Sequence, residues 1–279
     1  ILGIAVTATV VGGLLDPYSD ARLLAIVGAV SGGALVVTAL AVWGIERGLA
    51  AAPEPEAMPF RQGIAEIWAE PAARAFTVFV FLSMTAYFMQ ELILEPFAGL
   101  VFGLTPGQTT QMSGAQNGGV FLGMLAVGVA ATGLRLGSLR AWVIAGCLGS
   151  AAALAGIATI GLRGEGALLV PAVMLLGVFN GMFAVAAIGS MMALAGRGRG
   201  QREGTRMGLW GAAQAIAAGF GGLMGAGLAD AARLAFDAAP AFGAVFLIEA
   251  GLFLAAAALA MRVMERPATA GRPQLQPGE

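Results

Sequence analysis

Stretches of about twenty apolar residues recur along this chain with only short polar breaks between them, and this pattern constrains the fold most. Of the 279 residues, 58% are hydrophobic and 11% are charged, whereas soluble domains carry about 25% charged residues. About 20 helical residues cross a hydrocarbon core about 30 Å thick. Because lipid cannot satisfy an open backbone, such stretches must cross as helices. The sequence therefore predicts an all-α membrane protein.

The apolar stretches predict eight spans. They lie near residues 1–15, 22–45, 73–103, 106–131, 139–161, 167–195, 205–228 and 240–263. The first is shorter than a full span and is interpreted as a truncated helix. Two spans, a long connection and six further spans match the second half of a six-plus-six transporter bundle of the major facilitator type.

This interpretation divides the chain into four parts. Residues 1–45 hold the last two helices of the N-terminal half, the first of them truncated, and residues 46–72 form a cytoplasmic linker. Residues 73–266 form the C-terminal six-helix half, and residues 267–279 form a cytoplasmic tail. Within the linker, Phe60, Ile64, Ile67 and Trp68 share one helical face, which predicts a helix at the membrane surface.

The arginines predict the orientation of the bundle. The chain has no lysine, and cytoplasmic loops of membrane proteins retain positive charge. With the spans above, twelve arginines fall on one side and only Arg22, Arg163 and Arg233 on the other. The linker and the C-terminus are therefore predicted to be cytoplasmic, in a bacterial inner membrane. The basic loop at 196–203 is interpreted mainly as a topology determinant near lipid headgroups.

Composition also limits the possible chemistry. A net charge of -1 argues against a nucleic-acid partner, which requires a dense basic surface. The absence of histidine removes histidine-based catalytic triads and the commonest zinc ligand. The single cysteine, Cys147, lies in an apolar run and is interpreted as a core residue. No nucleophile and base pair is recognisable, so the sequence favours a non-enzymatic protein.

Two glutamates in the third span are the leading candidates for function. Glu91 and Glu95 are four residues apart and therefore share a helical face. A carboxylate within the bilayer costs at least about 2.5 kcal/mol, so it marks a functional site by default. The alternative is a protonated or paired glutamate that joins helices.

Amide side chains surround these glutamates in sequence. Gln90 precedes them, and the next span opens with Gln108, Gln111, Gln116 and Asn117. Such amides either bind a ligand or bridge helices. Thr105 to Gln108 reads as a capping box that starts this span.

Other features are weaker signals. Glu249 and Gln214 are isolated polar residues inside spans, and a hydrogen-bonded structural role is at least as expected for either. Small residues recur four apart and predict close helix crossings. These pairs are Gly119 and Gly123, Gly177 and Gly181, Gly189 and Ala193, Gly204 and Gly208, and Gly221 and Gly225.

Three stretches carry a resemblance to a known family. They are Phe60 to Phe76 (FRQGIAEIWAEPAARAF), Gln90 to Gly119 (QELILEPFAGLVFGLTPGQTTQMSGAQNGG) and Gly204 to Gly222 (GTRMGLWGAAQAIAAGFGG). In these stretches the chain resembles the PucC and LhaA family, the bacteriochlorophyll-delivery branch of the major facilitator superfamily. The family commonly has an acidic residue after the glutamine that corresponds to Gln90, and here that residue is Glu91.

The resemblance implies a role in assembling light-harvesting complexes, with bacteriochlorophyll as cargo or ligand, in the intracytoplasmic photosynthetic membrane. Antenna polypeptides and membrane lipids are the implied partners, with the reaction centre as a further candidate. The pigment's magnesium is a hard cation that accepts oxygen ligands. Glu91 is the candidate magnesium ligand, and Gln90, Glu95, Gln111, Gln116 and Asn117 are the other candidate pigment contacts.

Aromatic side chains around the third span could flank a macrocycle. They are Phe79, Phe81, Tyr87, Phe88, Phe97 and Phe102, although ordinary packing explains such a group equally well. Two other classes of function remain open. One is a proton-coupled secondary transporter of a small molecule, with Glu91 or Glu249 as the proton site. The other is a structural subunit bound to an antenna complex.

Overall fold

A computed structural model describes residues 1–44, 65, 68–195 and 203–263, and every regular element in these ranges is helical. Eight α-helices follow one another in them. They are α1 (Leu2–Leu14), α2 (Asp20–Val42), α3 (Pro71–Phe102), α4 (Pro106–Gly128), α5 (Leu139–Arg163), α6 (Leu169–Ala195), α7 (Glu203–Arg233) and α8 (Ala238–Val263). A π-helical turn, Val129–Gly133, extends α4, and a 3-10 turn, Gly166–Leu168, precedes α6.

Local sequence signals set the ends of several helices. The Thr105 hydroxyl accepts a hydrogen bond from the Gln108 N–H at 3.3 Å, and the Gln108 side chain accepts one from the Thr105 N–H at 2.9 Å. The predicted capping box at the start of α4 is therefore confirmed. Gly103 and Gly164 end α3 and α5 with φ values of 70° and 68°, which glycine adopts without steric cost.

Seven of the described helices, α2 to α8, are long and apolar enough to cross a membrane. The eighth, α1, has 13 residues. The chain is therefore a multi-pass helical membrane protein, and each of the seven full-length predicted spans coincides with one of these helices. The predicted end of α7 at residue 228 is wrong, because the helix continues to Arg233. Its last turn buries Ala229 and brings Arg233 within 4.0 Å of Asp230.

The helices α3 to α8 form one packed bundle. Helix α3 packs against α7 and α8, α5 against α6 and α8, and α4 against α6, while α1 packs on the outer side of α4. Aromatic rings fill the centre, with six phenylalanines and one tryptophan fully buried. They are Phe76, Phe79, Phe97, Phe183, Phe246, Phe253 and Trp210. Helix α2 has no buried residue.

Four glycines bring α4 and α6 into backbone contact, and we call them the glycine seam: Gly119, Gly123, Gly177 and Gly181. A β-carbon would lie 2.2 Å from the Met174 carbonyl oxygen at Gly119 and 2.0 Å from that of Val178 at Gly123. At Gly177 and Gly181 it would lie 2.1 Å from the carbonyl oxygens of Gln116 and Val120. The predicted close crossing is therefore confirmed for these two pairs.

The remaining small-residue pairs differ from one another. Gly221 and Gly225 of α7 meet the backbone of α3, where a β-carbon would lie 2.6 and 2.7 Å from the nearest carbonyl oxygens. Gly204 and Gly208 have nothing within 4 Å of an added β-carbon. That pair therefore makes no close crossing with the described residues.

An ion pair ties three helix ends together. Arg206, near the start of α7, is buried, and its Nη2 donates to both carboxylate oxygens of Glu70 at 2.6 and 2.7 Å. Glu70 is the N-cap of α3, and Nη1 of the same arginine lies 3.5 Å from the Leu194 carbonyl oxygen of α6. The predicted linker helix, the basic loop and the C-terminal tail lie almost wholly outside the described residues.

Candidate functional site

Glu91 and Glu95 lie on an exposed face of α3, which also carries the partly exposed Met84 and Phe88. The spacing of three and four residues places these side chains in one row along the helix. The opposite face of α3 is buried in the bundle. Pro96 follows Glu95 inside the helix and has no N–H to donate to the preceding turn.

A side-chain hydrogen bond joins this row to α4. The Ser113 hydroxyl donates to Oε1 of Glu95 at 2.7 Å. One turn further along α4, the Asn117 amide donates to the Ser113 carbonyl oxygen at 3.0 Å. We call Glu91, Glu95, Ser113 and Asn117 the polar strip. These residues lie on two neighbouring helices, α3 and α4, and their side chains are exposed or partly exposed at the surface of the bundle.

The other three sequence-predicted residues lie elsewhere. Gln90 is on the buried side of α3, 1% exposed, and its amide oxygen has no hydrogen-bond partner among the described residues. Gln111 packs on α1, where a β-carbon at Gly12 would lie 2.7 Å from its Cγ. Gln116 is partly exposed, and its carbonyl oxygen faces α6 at Gly177. Of the predicted set, Glu95 and Asn117 are therefore joined through Ser113, and Glu91 lies one turn from Glu95 on the same face of α3.

Sequence reasoning missed Ser113. A serine inside an apolar helix usually bonds its own preceding backbone, so its type gives little signal. The detectable signal is its position four residues before Asn117, on the same face of α4. The contact with Glu95 depends on how closely α3 and α4 approach, which spacing along the chain does not fix.

The aromatic residues predicted to flank a pigment divide between the surface beside the polar strip and the buried core. Tyr87 and Phe88 are partly exposed beside Glu91, and their rings meet edge to face with centroids 5.2 Å apart. Phe79 and Phe97 are fully buried, so they face the core rather than the polar strip. Phe81 stacks on Phe220 of α7 at 6.2 Å.

An apolar groove lies between α3 and α7, further toward the start of α3. It has a volume of about 370 Å³. Its lining includes Thr77, Val78 and Phe81 of α3, together with Leu209, Ala212 and Ile216 of α7. Thr77 and Phe81 continue the row of Met84, Phe88 and Glu91 at helical spacing. The groove and the polar strip therefore lie along one face of α3.

The chain matches a family model and several known proteins in sequence. The family model described as "PUCC protein" matches residues 1–268. The chain is 64% identical over 281 residues to the "Bacteriochlorophyll synthase 44.5 kDa chain" of Rhodobacter capsulatus, an alignment that covers 100% of this chain and 65% of that relative. It is 31% identical to "Protein PucC" of Cereibacter sphaeroides, over 87% of this chain and 54% of the relative.

A further relative, "Protein PucC" of Rhodobacter capsulatus, is 26% identical over 95% of this chain and 59% of its own length. The chain thus spans between half and two thirds of the length of the curated relatives it matches.

Proposed function

Because the chain belongs to the PUCC protein family, we propose that it is a non-enzymatic membrane factor that binds bacteriochlorophyll and delivers it to light-harvesting antenna polypeptides. The observation that carries this proposal is the polar strip, in which two carboxylates share one face of a helix apolar enough to span a membrane and Ser113 joins one of them, Glu95, to the next helix. The names of relatives, which include a bacteriochlorophyll synthase chain and PucC proteins, support the pigment as the ligand class.

The donor chemistry of the strip fits a magnesium macrocycle. The magnesium of the pigment is a hard cation, and a protein oxygen would hold it. Glu91 is exposed on α3 with Tyr87 and Phe88 beside it, which offers a carboxylate oxygen next to an aromatic surface. No group of three or more His, Cys, Asp or Glu residues that could hold a free metal ion occurs in the described ranges. In this proposal Glu91 would hold the magnesium of the pigment through a carboxylate oxygen, and Glu95 and Asn117 would be flanking polar contacts.

We further propose the major facilitator arrangement for the bundle. Helices α3 to α8 would form its C-terminal six-helix half, and α1 and α2 would be the last helices of the N-terminal half. The packing of α1 on α4 supports this assignment, because it supplies a contact between the two halves. The proposed setting is the intracytoplasmic photosynthetic membrane with the C-terminus in the cytoplasm, and the proposed partners are antenna polypeptides and the reaction centre.

A proton-coupled transporter is the second candidate function, and a carboxylate such as Glu91 on a membrane-spanning helix favours it as the proton site. The two candidates need different properties of the same side chain. A magnesium ligand or a hydrogen-bond acceptor can be partly replaced by an amide oxygen, whereas a proton carrier must titrate and an amide cannot. Comparing Glu91→Gln with Glu91→Leu therefore separates them.

The experiment expresses the full-length protein in a phototrophic host whose own copy is deleted, and measures antenna absorption and co-purified pigment. Glu91→Gln should retain much of both, and Glu91→Leu should lose most of both at unchanged protein abundance, because leucine is favourable in the bilayer. The matched controls are Glu165→Gln and Glu165→Leu in the exposed turn before α6, which should behave like the parent.

Three results would contradict the proposal. Normal antenna assembly with Glu91→Leu would remove Glu91 as a pigment ligand. Proton-linked uptake of a solute that both Glu91 substitutions abolish would favour the transporter. Conversion of a bacteriochlorophyll precursor by the purified protein would establish a catalytic role, to which the name of one relative refers.

A further inference from the structure

Four of the buried polar side chains lie apart from the polar strip, one on each of α3, α5, α6 and α8. Gln90 of α3 is 1% exposed, and Ser150 of α5, Asn180 of α6 and Glu249 of α8 are 0% exposed. The Ser150 hydroxyl donates to Oδ1 of Asn180 at 2.8 Å. Among the described residues, no partner meets the Gln90 amide oxygen, the Asn180 amide nitrogen or either carboxylate oxygen of Glu249. We call these four residues the core polar cluster.

Contacts between the helices place the cluster at one depth. Phe97 meets Phe242 and Phe246 at 5.8 and 5.0 Å, which sets α3 against α8. Gln90 lies seven residues before Phe97 in α3. Glu249 lies about five residues after the midpoint of Phe242 and Phe246 in α8. At 1.5 Å per residue these positions lie roughly 10 and 8 Å from the ring contact. Because α3 and α8 run in opposite directions as alternate spans, both lie on the same side of it.

The same measure applies to α5. A β-carbon at Gly243 would lie 3.8 Å from that of Ala158, which sets α8 against α5. Ser150 lies eight residues from Ala158, and Glu249 lies six residues from Gly243. Their depths, about 12 and 9 Å from this contact, differ by only about 3 Å. Asn180 shares the depth of Ser150 through their hydrogen bond.

The unpaired atoms of the cluster are chemically complementary. Gln90 offers an acceptor, and Asn180 offers a donor. A neutral carboxylic acid has one O–H donor and one carbonyl acceptor, so it can satisfy both neighbours at once. An ionised carboxylate offers only acceptors. Burying an unpaired charge also costs far more than burying a neutral acid.

Other ionisable groups near Glu249 do not supply a counter-charge. The helices packed against α8 are α3, α5 and α7. Their buried or partly buried ionisable side chains in the described ranges are Tyr87 of α3, Arg140 and Cys147 of α5 and Arg206 of α7. Arg140 donates to the Met261 carbonyl oxygen, twelve residues beyond Glu249 near the end of α8. Arg206 is held by Glu70 at the far end of the bundle. The remaining charged residues of these helices, Glu91 and Glu95 among them, are exposed.

We propose that the core polar cluster is an internal proton-binding site, in which Glu249 is a neutral acid linked to Gln90 and Asn180 through water. The unpaired atoms of these three side chains would supply the two to four polar partners that a buried water requires. The site is separate from the pigment contacts and does not depend on the proposed function.

Two substitutions of Glu249 test the site in the purified full-length protein in mild detergent. Glu249→Gln retains one donor and one acceptor, so its Tm should match the parent at neutral and mildly alkaline pH. Glu249→Leu removes both and leaves Gln90 and Asn180 unpaired, so its Tm should fall by about 3–8 °C. Asn180→Leu added to Glu249→Leu should cost less than the sum of the two single changes.

Infrared spectroscopy detects the protonated carboxylic acid directly, which a purely structural role of Glu249 would not require. The parent should show the carbonyl band of a protonated carboxylic acid at neutral pH, and Glu249→Gln should lose it while Glu91→Gln retains it. Loss of the band in Glu91→Gln but not in Glu249→Gln would overturn the proposal. Stabilisation by sodium that Glu249→Gln abolishes would indicate a cation site and would also overturn the proposal. Equal stability of Glu249→Gln and Glu249→Leu would overturn it as well.

Discussion

Adding one methyl group to the glycine seam should disrupt the bundle far more than adding it one residue away. At Gly119 the new β-carbon would lie 2.2 Å from the Met174 carbonyl oxygen. Real β-carbons essentially never approach within 3.0 Å, so α4 and α6 must separate locally by at least about 0.8 Å. Because the four seam glycines interlock from both sides, separation at one position loosens its neighbours.

The expected magnitude follows from two opposing terms. Overpacking a close-packed contact costs about 1–3 kcal/mol, while replacing glycine by alanine inside a helix gains up to about 1 kcal/mol. Gly119→Ala should therefore destabilise the protein by up to about 3 kcal/mol net. The control is Gly118→Ala, because nothing lies within 4 Å of a β-carbon there. That variant should be neutral or slightly more stable than the parent.

The assay is thermal and denaturant unfolding of both variants in the same detergent, followed by tryptophan fluorescence. The Tm of Gly119→Ala should lie several degrees below that of Gly118→Ala. Antenna assembly should fall in parallel, since α4 carries Ser113 and Asn117 of the polar strip. Equal stability of the two variants would refute the reasoning, because only the contact with α6 distinguishes these adjacent positions.

Two further predictions concern the ion pair of Glu70 and the orientation of the bundle. Glu70→Gln should lower the unfolding free energy by about 1–3 kcal/mol, because the buried Arg206 loses its carboxylate partner. The control is Glu165→Gln, in an exposed pair 3.9 Å from Arg163, which should change the unfolding free energy by less than about 1 kcal/mol. Equal losses in the two variants would contradict the prediction. Reporter fusions in the loop between α4 and α5 should be cytoplasmic and those between α5 and α6 periplasmic, and the reverse pattern would overturn the arginine-based orientation.

The sequence was sufficient for features that depend on local or periodic patterns. Apolar run length located the spans, and the Thr105 to Gln108 capping box located the start of α4, because both follow from neighbouring residues alone. The spacing of Glu91 and Glu95 likewise placed them on one face of a helix. The seam glycines were recognisable because small residues four apart form a continuous surface.

Features that depend on which helices meet could not be read in the same way. Adjacent residues point about 100° apart on a helix, so Gln90 and Glu91 face different surroundings, but only the packing of α3 decides which one is buried. Glu70 and Arg206 are separated by 136 positions, and neither lies in a pattern that pairs them. Asn180 is a single polar residue in an apolar run, and its significance appears only beside its neighbours on α5 and α8.

The glycine seam also constrains the order in which the protein can be built. Helix α4 is one of the two least apolar spans, and its tightest partner, α6, follows it only after α5 has been synthesised. Until α6 enters the bilayer, the bare backbone ridge of α4 faces lipid tails, which cannot fill it as closely as a second backbone does. The position of Ser113 and Asn117 is therefore settled late in biogenesis, so the polar strip acquires its final geometry only after most of the bundle has been inserted.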